Sequence, residues 1–340
     1  MRPPFNSYSR YLRTRYGEPV YRVAVDAGFS CPNRGPDRSA PGCTYCDEWG
    51  SRAPYLAGAA ATRGSPDEAA TDLERRKASL SRQIEQAEKF LQARYGPGQR
   101  ILYFQAFSGT YGPVEELREL YDHALACRDF RELIVATRPD CIDGRTADLL
   151  AGYRLPGYRL AGYRLPGDRL PEREVWIELG LQSAHNSTLE RVRRGHGVEA
   201  FEEAYAMLRK RGLKIAAHVI FGLPGETLEE MLATIRYLAK RKIDGIKIHN
   251  LHIPRGCALA ADALSGELSV PCDRRHLSYV IRALELLPPE TVIMRLTCDT
   301  PEHRLLMPRR FMPKARFYQE LRQLMLRERT WQGRLYRSDR

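Results

Sequence analysis

No stretch of the 340 residues approaches the ~20 consecutive apolar residues that a membrane-spanning helix needs. Met1 to Arg15 hold no apolar segment of the secretory-signal kind, so the expected compartment is the cytoplasm and no membrane partner is expected. Acidic residues are in short supply: 42 Asp and Glu face 54 Lys and Arg, giving a formal net charge of +12. The deficit is steepest over residues 304–340, with eleven Lys and Arg against three Asp and Glu. Such a surface favours polyanions such as RNA, or phosphorylated substrates, although an arginine-rich solvated face explains it equally.

Paired cysteine motifs are also scarce. Of eight cysteines, only Cys43 and Cys46 form a C-x2-C pair. A reducing compartment argues against a disulfide framework, and closed zinc sites usually take four ligands from two paired elements. What is present is a cluster of three, Cys31 and then Cys43-Thr44-Tyr45-Cys46, spaced C-x11-C-x2-C. Three thiolates on one loop suit three irons of a 4Fe-4S cube and leave the fourth iron open. A structural zinc site is the rival reading. Cys127, Cys141, Cys257, Cys272 and Cys298 are scattered and read as small buried apolar residues.

Short apolar runs alternate with helical patterns, as in repeated βα units on a parallel sheet. Strands are expected at 20–25, 101–107, 133–137, 174–180, 214–221 and 245–251, with a further one at 291–296. A helix capped by Ser65 is expected to run to Tyr95 and stop at Gly96. Others start at Pro113 and near Thr227. Residues 152–171 repeat Gly-Tyr-Arg-Leu-Pro with small changes; Gly and Pro at that density forbid a regular helix, so a surface-loop insertion is expected. Tyr and Arg there are suited to stacking on RNA bases, and a neutral expansion is the other reading. The cysteine loop follows the first strand, where barrel enzymes carry their chemistry.

These residues resemble the radical S-adenosylmethionine (radical SAM) superfamily. The aromatic Tyr45 before Cys46 matches that family's C-x-aromatic-C ending, while the wide first gap departs from its commonest spacing. The gap resembles the branch around the Elongator catalytic subunit. The YhcC-type proteins resemble the chain from about Tyr11 to Gly333, through Phe29-Ser30-Cys31-Pro32-Asn33, Thr137-Arg138-Pro139-Asp140, Glu178-Leu179-Gly180-Leu181-Gln182-Ser183, Arg194-Gly195-His196 and Phe221-Gly222-Leu223-Pro224-Gly225-Glu226. The resemblance implies an α/β fold, a partial (β/α)6 TIM-type barrel with a basic, mainly helical C-terminal extension. The expected divisions are an N-terminal extension at 1–19, a core at 20–290 and the extension at 291–340.

The resemblance further implies a 4Fe-4S cluster on Cys31, Cys43 and Cys46, S-adenosylmethionine as cofactor, and an external one-electron donor of flavodoxin or ferredoxin type. Tyr45 is expected near the adenine. Gln182 and Arg194 are expected on the cofactor, as in oxygen-independent coproporphyrinogen dehydrogenase; a structural salt bridge is the alternative for Arg194. His218 stands where that enzyme has an acidic cofactor-binding residue. Gln105 and Ser108 replace the acidic segment that meets the methionine amine. Gly222 allows close approach to the adenine. Ala136 stands where Elongator-like relatives often carry Glu. His249 is expected on one face of its strand, with Asn250 and His252 on the other. The implied activity is reductive cleavage of S-adenosylmethionine to a 5'-deoxyadenosyl radical that takes hydrogen from a substrate, with tRNA a candidate reached through the basic tail. The alternative is a non-catalytic metal-binding, RNA-binding protein with structural cysteines.

Overall fold

A computed structural model describes residues 3–47, 71–154, 173–298 and 300–337. The chain enters through α1 (Tyr8–Tyr16), whose N-cap Ser7 side chain accepts from the Arg10 amide. Six strands then run parallel: β1 (Val20–Val25), β2 (Gln99–Phe104), β3 (Glu132–Thr137), β4 (Glu174–Gln182), β5 (Lys214–Phe221) and β6 (Gly245–Asn250). After β7 (Ile253–Pro254), β8 (Val292–Arg295) completes the sheet in the order β1-β2-β3-β4-β5-β6-β8. β9 (Leu305–Met307) pairs antiparallel with β7. The seven parallel strands curl into a half-barrel: the six expected and the further one expected at 291–296.

Parallel strands buried on both faces need apolar residues at successive positions, and these strands have them. One set, including Val23, Leu102, Val135, Ile177 and Ile248, packs outward against the helices. The alternate set, Ala24, Ile101, Tyr103, Ile134, Ala136, Trp176 and Ala216, faces the lumen. The covering helices are α2 (Asp72–Tyr95), α3 (Val114–Ala126), α4 (Gly144–Gly152), the short α5 (Asn186–Arg191), α6 (Val198–Lys210) and α7 (Leu228–Lys240). The expected cap Ser65 lies outside the described residues. Described helix begins at Asp72, where Thr71 and Glu74 form a capping box; Thr227 and Glu230 form another on α7. Most of the 152–171 repeat likewise lies outside the described residues.

The two outlying segments belong to the barrel. Tyr8 and Leu12 of α1 pack with Trp176 and the other lumen residues. The Tyr8 hydroxyl donates to Glu132 at 2.6 Å and that of Tyr11 to Glu174 at 2.5 Å. Both carboxylates lie at the first residue of their strands, so α1 closes the bottom of the barrel. At the other end of the sequence, β8 is the seventh strand. After α8 (Ala260–Ser265) and α9 (Asp273–Leu286), α10 (Lys314–Arg327) buries Phe317, Leu321 and Met325 in the main core. Residues on both sides of 290–291 therefore share one core.

Candidate active site

The cysteine loop leaves the top of β1 and is held from several sides. The Asp26 amide donates to Gln83 of α2, and the Gln83 side-chain amide donates back to the Asp26 carbonyl, both at 2.8 Å. The Thr44 amide donates to the Val192 carbonyl, and the Leu259 amide to the Thr44 carbonyl. Asn33 Nδ2 lies 2.8 Å from the carbonyls of both Arg193 and Arg194 and 3.3 Å from Cys43 Sγ. The loop is thereby tied to the turn after α5, where Gly195 has a left-handed φ of 78° and no room for a Cβ beside Asn33.

Arg194 comes from that same turn. Its buried guanidinium donates to the Gly180 carbonyl at 2.7 Å and points Nη1 at Cys43 Sγ, 3.7 Å away; Nε is buried without a partner. The structural salt bridge weighed for it is not formed among the described residues. Behind it, Arg138 forks onto Asp140 at 2.8 and 2.7 Å and donates to the Arg194 carbonyl. Hydrogen bonding from Cys46, then Arg194 and Arg138 working against burial, pull the Cys43 thiol down to about 4. Cys43 is therefore a thiolate at neutral pH, the form that binds iron.

The other expected residues occupy distinct surroundings. Tyr45 packs against the cluster of Val192, Leu223 and Leu251, and its hydroxyl is buried without a partner. Gln105 is half-buried just past β2, its amide bonded to the Val25 carbonyl. Ser108 is fully buried; its hydroxyl meets Thr137 Oγ1 at 2.8 Å and accepts from the Arg138 amide, so it braces the loop rather than offering a free group. Gln182 ends β4 at a bulge, with φ of 71°. Gly222, at φ 89°, has Pro271 packed where a Cβ would stand, 2.6 Å away, so its glycine is required by packing as well as by the turn.

His218 belongs to a polar group in the lumen that the motifs do not single out. Glu178 is fully buried. Its Oε2 accepts from Tyr103 at 2.6 Å, His218 Nε2 at 2.9 Å and Lys247 Nζ, while Oε1 has no partner. Burial opposes its ionisation, but Lys247 and His218 hold the carboxyl well below its ordinary range. Burial and Lys247 push His218 down to about 4, so its imidazole is neutral, with Nε2–H donated to Glu178. Glu178 pairs laterally with Ala136, so the carboxylate missing from β3 stands one strand over. Inward alternation along β2, β4, β5 and β6 was the available signal. His249 lies beside His218, ring centroids 5.8 Å apart, while Asn250 and His252 bond Thr297 and Thr300 on the other side of the strand, as alternation requires. Of the five scattered cysteines only Cys257 is buried; Cys127 and Cys272 are exposed, correcting the expectation for those two.

A half-barrel with a three-thiol loop at the carboxyl end of its first strand defines an enzyme class, and the chain's likenesses agree. The model described as "Radical SAM superfamily" matches residues 31–238, and that described as "Radical_SAM C-terminal domain" matches residues 243–327. Protein YhcC of Escherichia coli (strain K12) is 32% identical over 306 residues, 89% of this chain and 86% of its own. YtqA of Bacillus subtilis (strain 168) is 32% identical over 305 residues, 89% and 84% of the two chains. Human Elongator complex protein 3 is 28% identical over 128 residues, 37% of this chain and 23% of that one. The solved archaeal Methanocaldococcus infernus Elp3 shares the fold with a TM-score of 0.61 at 16% identity, over 92% of this chain and 64% of that one. The chain belongs to the radical SAM superfamily of enzymes.

Membership implies a 4Fe-4S cluster and S-adenosylmethionine, and the residues present fit them. Among the described residues no three His, Cys, Asp or Glu side chains converge as ligands of one ion would. A cube gives each thiolate a different iron, so its ligands need not meet at a point. A stabilised Cys43 thiolate, the Asn33 amide aimed at the same sulfur and the unpartnered Arg194 Nε form a cradle for an anionic, sulfur-rich group. No helix among the described residues is long and apolar enough to cross a membrane.

Proposed function

We propose that the chain holds a 4Fe-4S cluster on Cys31, Cys43 and Cys46 and cleaves S-adenosylmethionine reductively. Held there, the cluster would supply the sulfonium with one electron, received from an external donor of flavodoxin or ferredoxin type, for cleavage to methionine and a 5'-deoxyadenosyl radical that would take a hydrogen atom from a substrate and leave as 5'-deoxyadenosine. The protein's own residues orient and enclose. Arg194 and Asn33 stabilise the Cys43 side of the cluster. Tyr45, Gln105, Gln182 and His218 are the proposed cofactor contacts. Ser108 and Gly222 act through the backbone they hold in place.

The observation that carries this reading is the three-thiol loop at the mouth of the half-barrel, with the Cys43 thiol lowered by hydrogen bonding from Cys46 and by Arg194. The test is anaerobic reconstitution with iron and sulfide, followed by dithionite reduction. The wild-type protein is expected to form 5'-deoxyadenosine and methionine in equal amounts, and Cys43→Ala to form neither. One zinc per chain, no sulfide and no cleavage would establish the structural-cysteine alternative.

The C-terminal charge does not favour an RNA substrate. Arg304 pairs with Asp47, Arg316 with Glu320 and Arg334 with Glu285, so part of the basic segment is engaged within the fold.

A further inference from the structure

β8 carries one residue more than its partner. Ile246 pairs with Ile293, but the next residue, Lys247, pairs with Arg295, leaving Met294 as the extra residue of a bulge. Plain alternation would send Val292, Met294 and Leu296 into the lumen, and Ile293 and Arg295 to the outer side. Val292 and Met294 do face the lumen, while Ile293 and Leu296 pack in the outer core. Arg295 nevertheless stands inside, where its charge acts on Tyr103, His218, Lys247 and His249. A bulge re-aims a side chain in this way at the cost of a regular ladder.

The re-aimed guanidinium is half-buried and makes no hydrogen bond or ion pair among the described residues. The nearby carboxylate, Glu178, already serves Lys247, Tyr103 and His218. The other lumen arginine, Arg22, lies over the Tyr8 ring at 4.4 Å, and its charge acts on Glu132 at the floor. His249 Nε2 is buried without a partner. An arginine fork in a low-dielectric lumen with no counter-charge is costly, and a carboxylate or phosphate matches it with two parallel hydrogen bonds.

We propose that Arg295, together with His249, seats an oxyanion carried by the substrate inside the barrel. The proposal deepens the function proposed above, because it takes the lumen as the substrate chamber of that reaction. The class of ligand is a compound bearing a carboxylate or a phosphate, small enough for that group to pass the cysteine loop.

The test is calorimetric titration of the anaerobic, cluster-loaded protein with S-adenosylmethionine present, using inorganic phosphate in one arm and succinate in the other. Wild type is expected to bind one of the two, and which one names the source of the oxyanion. Arg295→Gln is expected to weaken that binding by about tenfold or more, the loss of a charge-assisted fork. Arg295→Lys is expected to lose less, since a point charge stays, and it serves if the glutamine variant is unstable in a thermal melt. The proposal is overturned by a wild type that binds neither probe or by equal binding in wild type and Arg295→Gln. It is also overturned if the loss appears in the dissociation constant for S-adenosylmethionine instead of that for the probe. Wild-type 5'-deoxyadenosine formation, measured in parallel, shows separately whether the underlying reaction stands.

Discussion

Gly180 lacks a side chain where Arg194 needs the space. A Cβ there would lie 2.6 Å from Arg194 Nη2 and 2.8 Å from Gln182 Nε2. Gly180→Ala is expected to displace the guanidinium and destabilise the fold by about 1–3 kcal/mol, the usual cost of overpacking. Loss of the positive charge beside Cys43 raises that thiol from its depressed value. Alkylation of Cys43 in the cluster-free protein should then need a higher pH than in wild type, which a rate-versus-pH series with iodoacetamide reads directly. At this scale the cysteine spacing was legible, whereas the approach of Arg194 to Cys43 depends on the turn after α5. The brace formed by Ser108 was not, since a serine's task depends on Thr137 and Arg138 arriving from another strand. Arg295 was equally hidden, because its direction is set by a bulge against β6.

Among the elements, the strands were the most legible, since apolar runs between turn residues mark them locally. Helices starting at Pro113 and near Thr227 were legible too, whereas the capping boxes on α2 and α7 emerge from the structure. The packing of the end segments was not legible, for a physical reason. Tyr8, Tyr11, Leu12 and Tyr16 have no partners until a lumen exists to receive them. α10 likewise reads as a basic tail, although Phe317, Leu321 and Met325 are fully buried. Cutting the chain at Arg304 is therefore expected to abolish cooperative folding rather than to remove an appendage. Leu321→Ala alone should cost about 2–5 kcal/mol. Urea unfolding followed by circular dichroism checks both, and a truncated chain that melts like wild type would contradict the packing described.

Over the whole molecule, buried histidines tie stability to pH. Burial is the first cause that lowers His196, His218, His252 and His276 to about 4. Between about 6.5 and 4 the unfolded chain takes up protons on these residues and the folded chain does not, so acidification favours unfolding. Glu132 works the other way: burial raises it to about 7, so its protonated form favours the fold as pH falls. His123 and His249 are lowered by burial too and Glu226 is raised, so six histidines against two carboxyls give a net loss of stability from pH ~6.5 down to ~4. Urea midpoints measured across that range should fall, and the slope should be shallower in His276→Phe; a flat wild-type profile would contradict the burial.

The first and last described segments also clasp each other. The Gln332 amide donates to the Pro4 carbonyl and its side chain accepts from the Asn6 amide, both at 2.8 Å, while the Ile293 amide donates to the Asn6 carbonyl. Strands β1 to β6 each have a sequential neighbour to dock on as they leave the ribosome. The edge formed by residues near Asn6 must wait for β8 and then for Gln332, more than 300 residues later. Translation thus has to pass Gln332 before the barrel floor can be locked. A nascent chain stalled short of Gln332 would be expected to leave its amino-terminal helix open to protease.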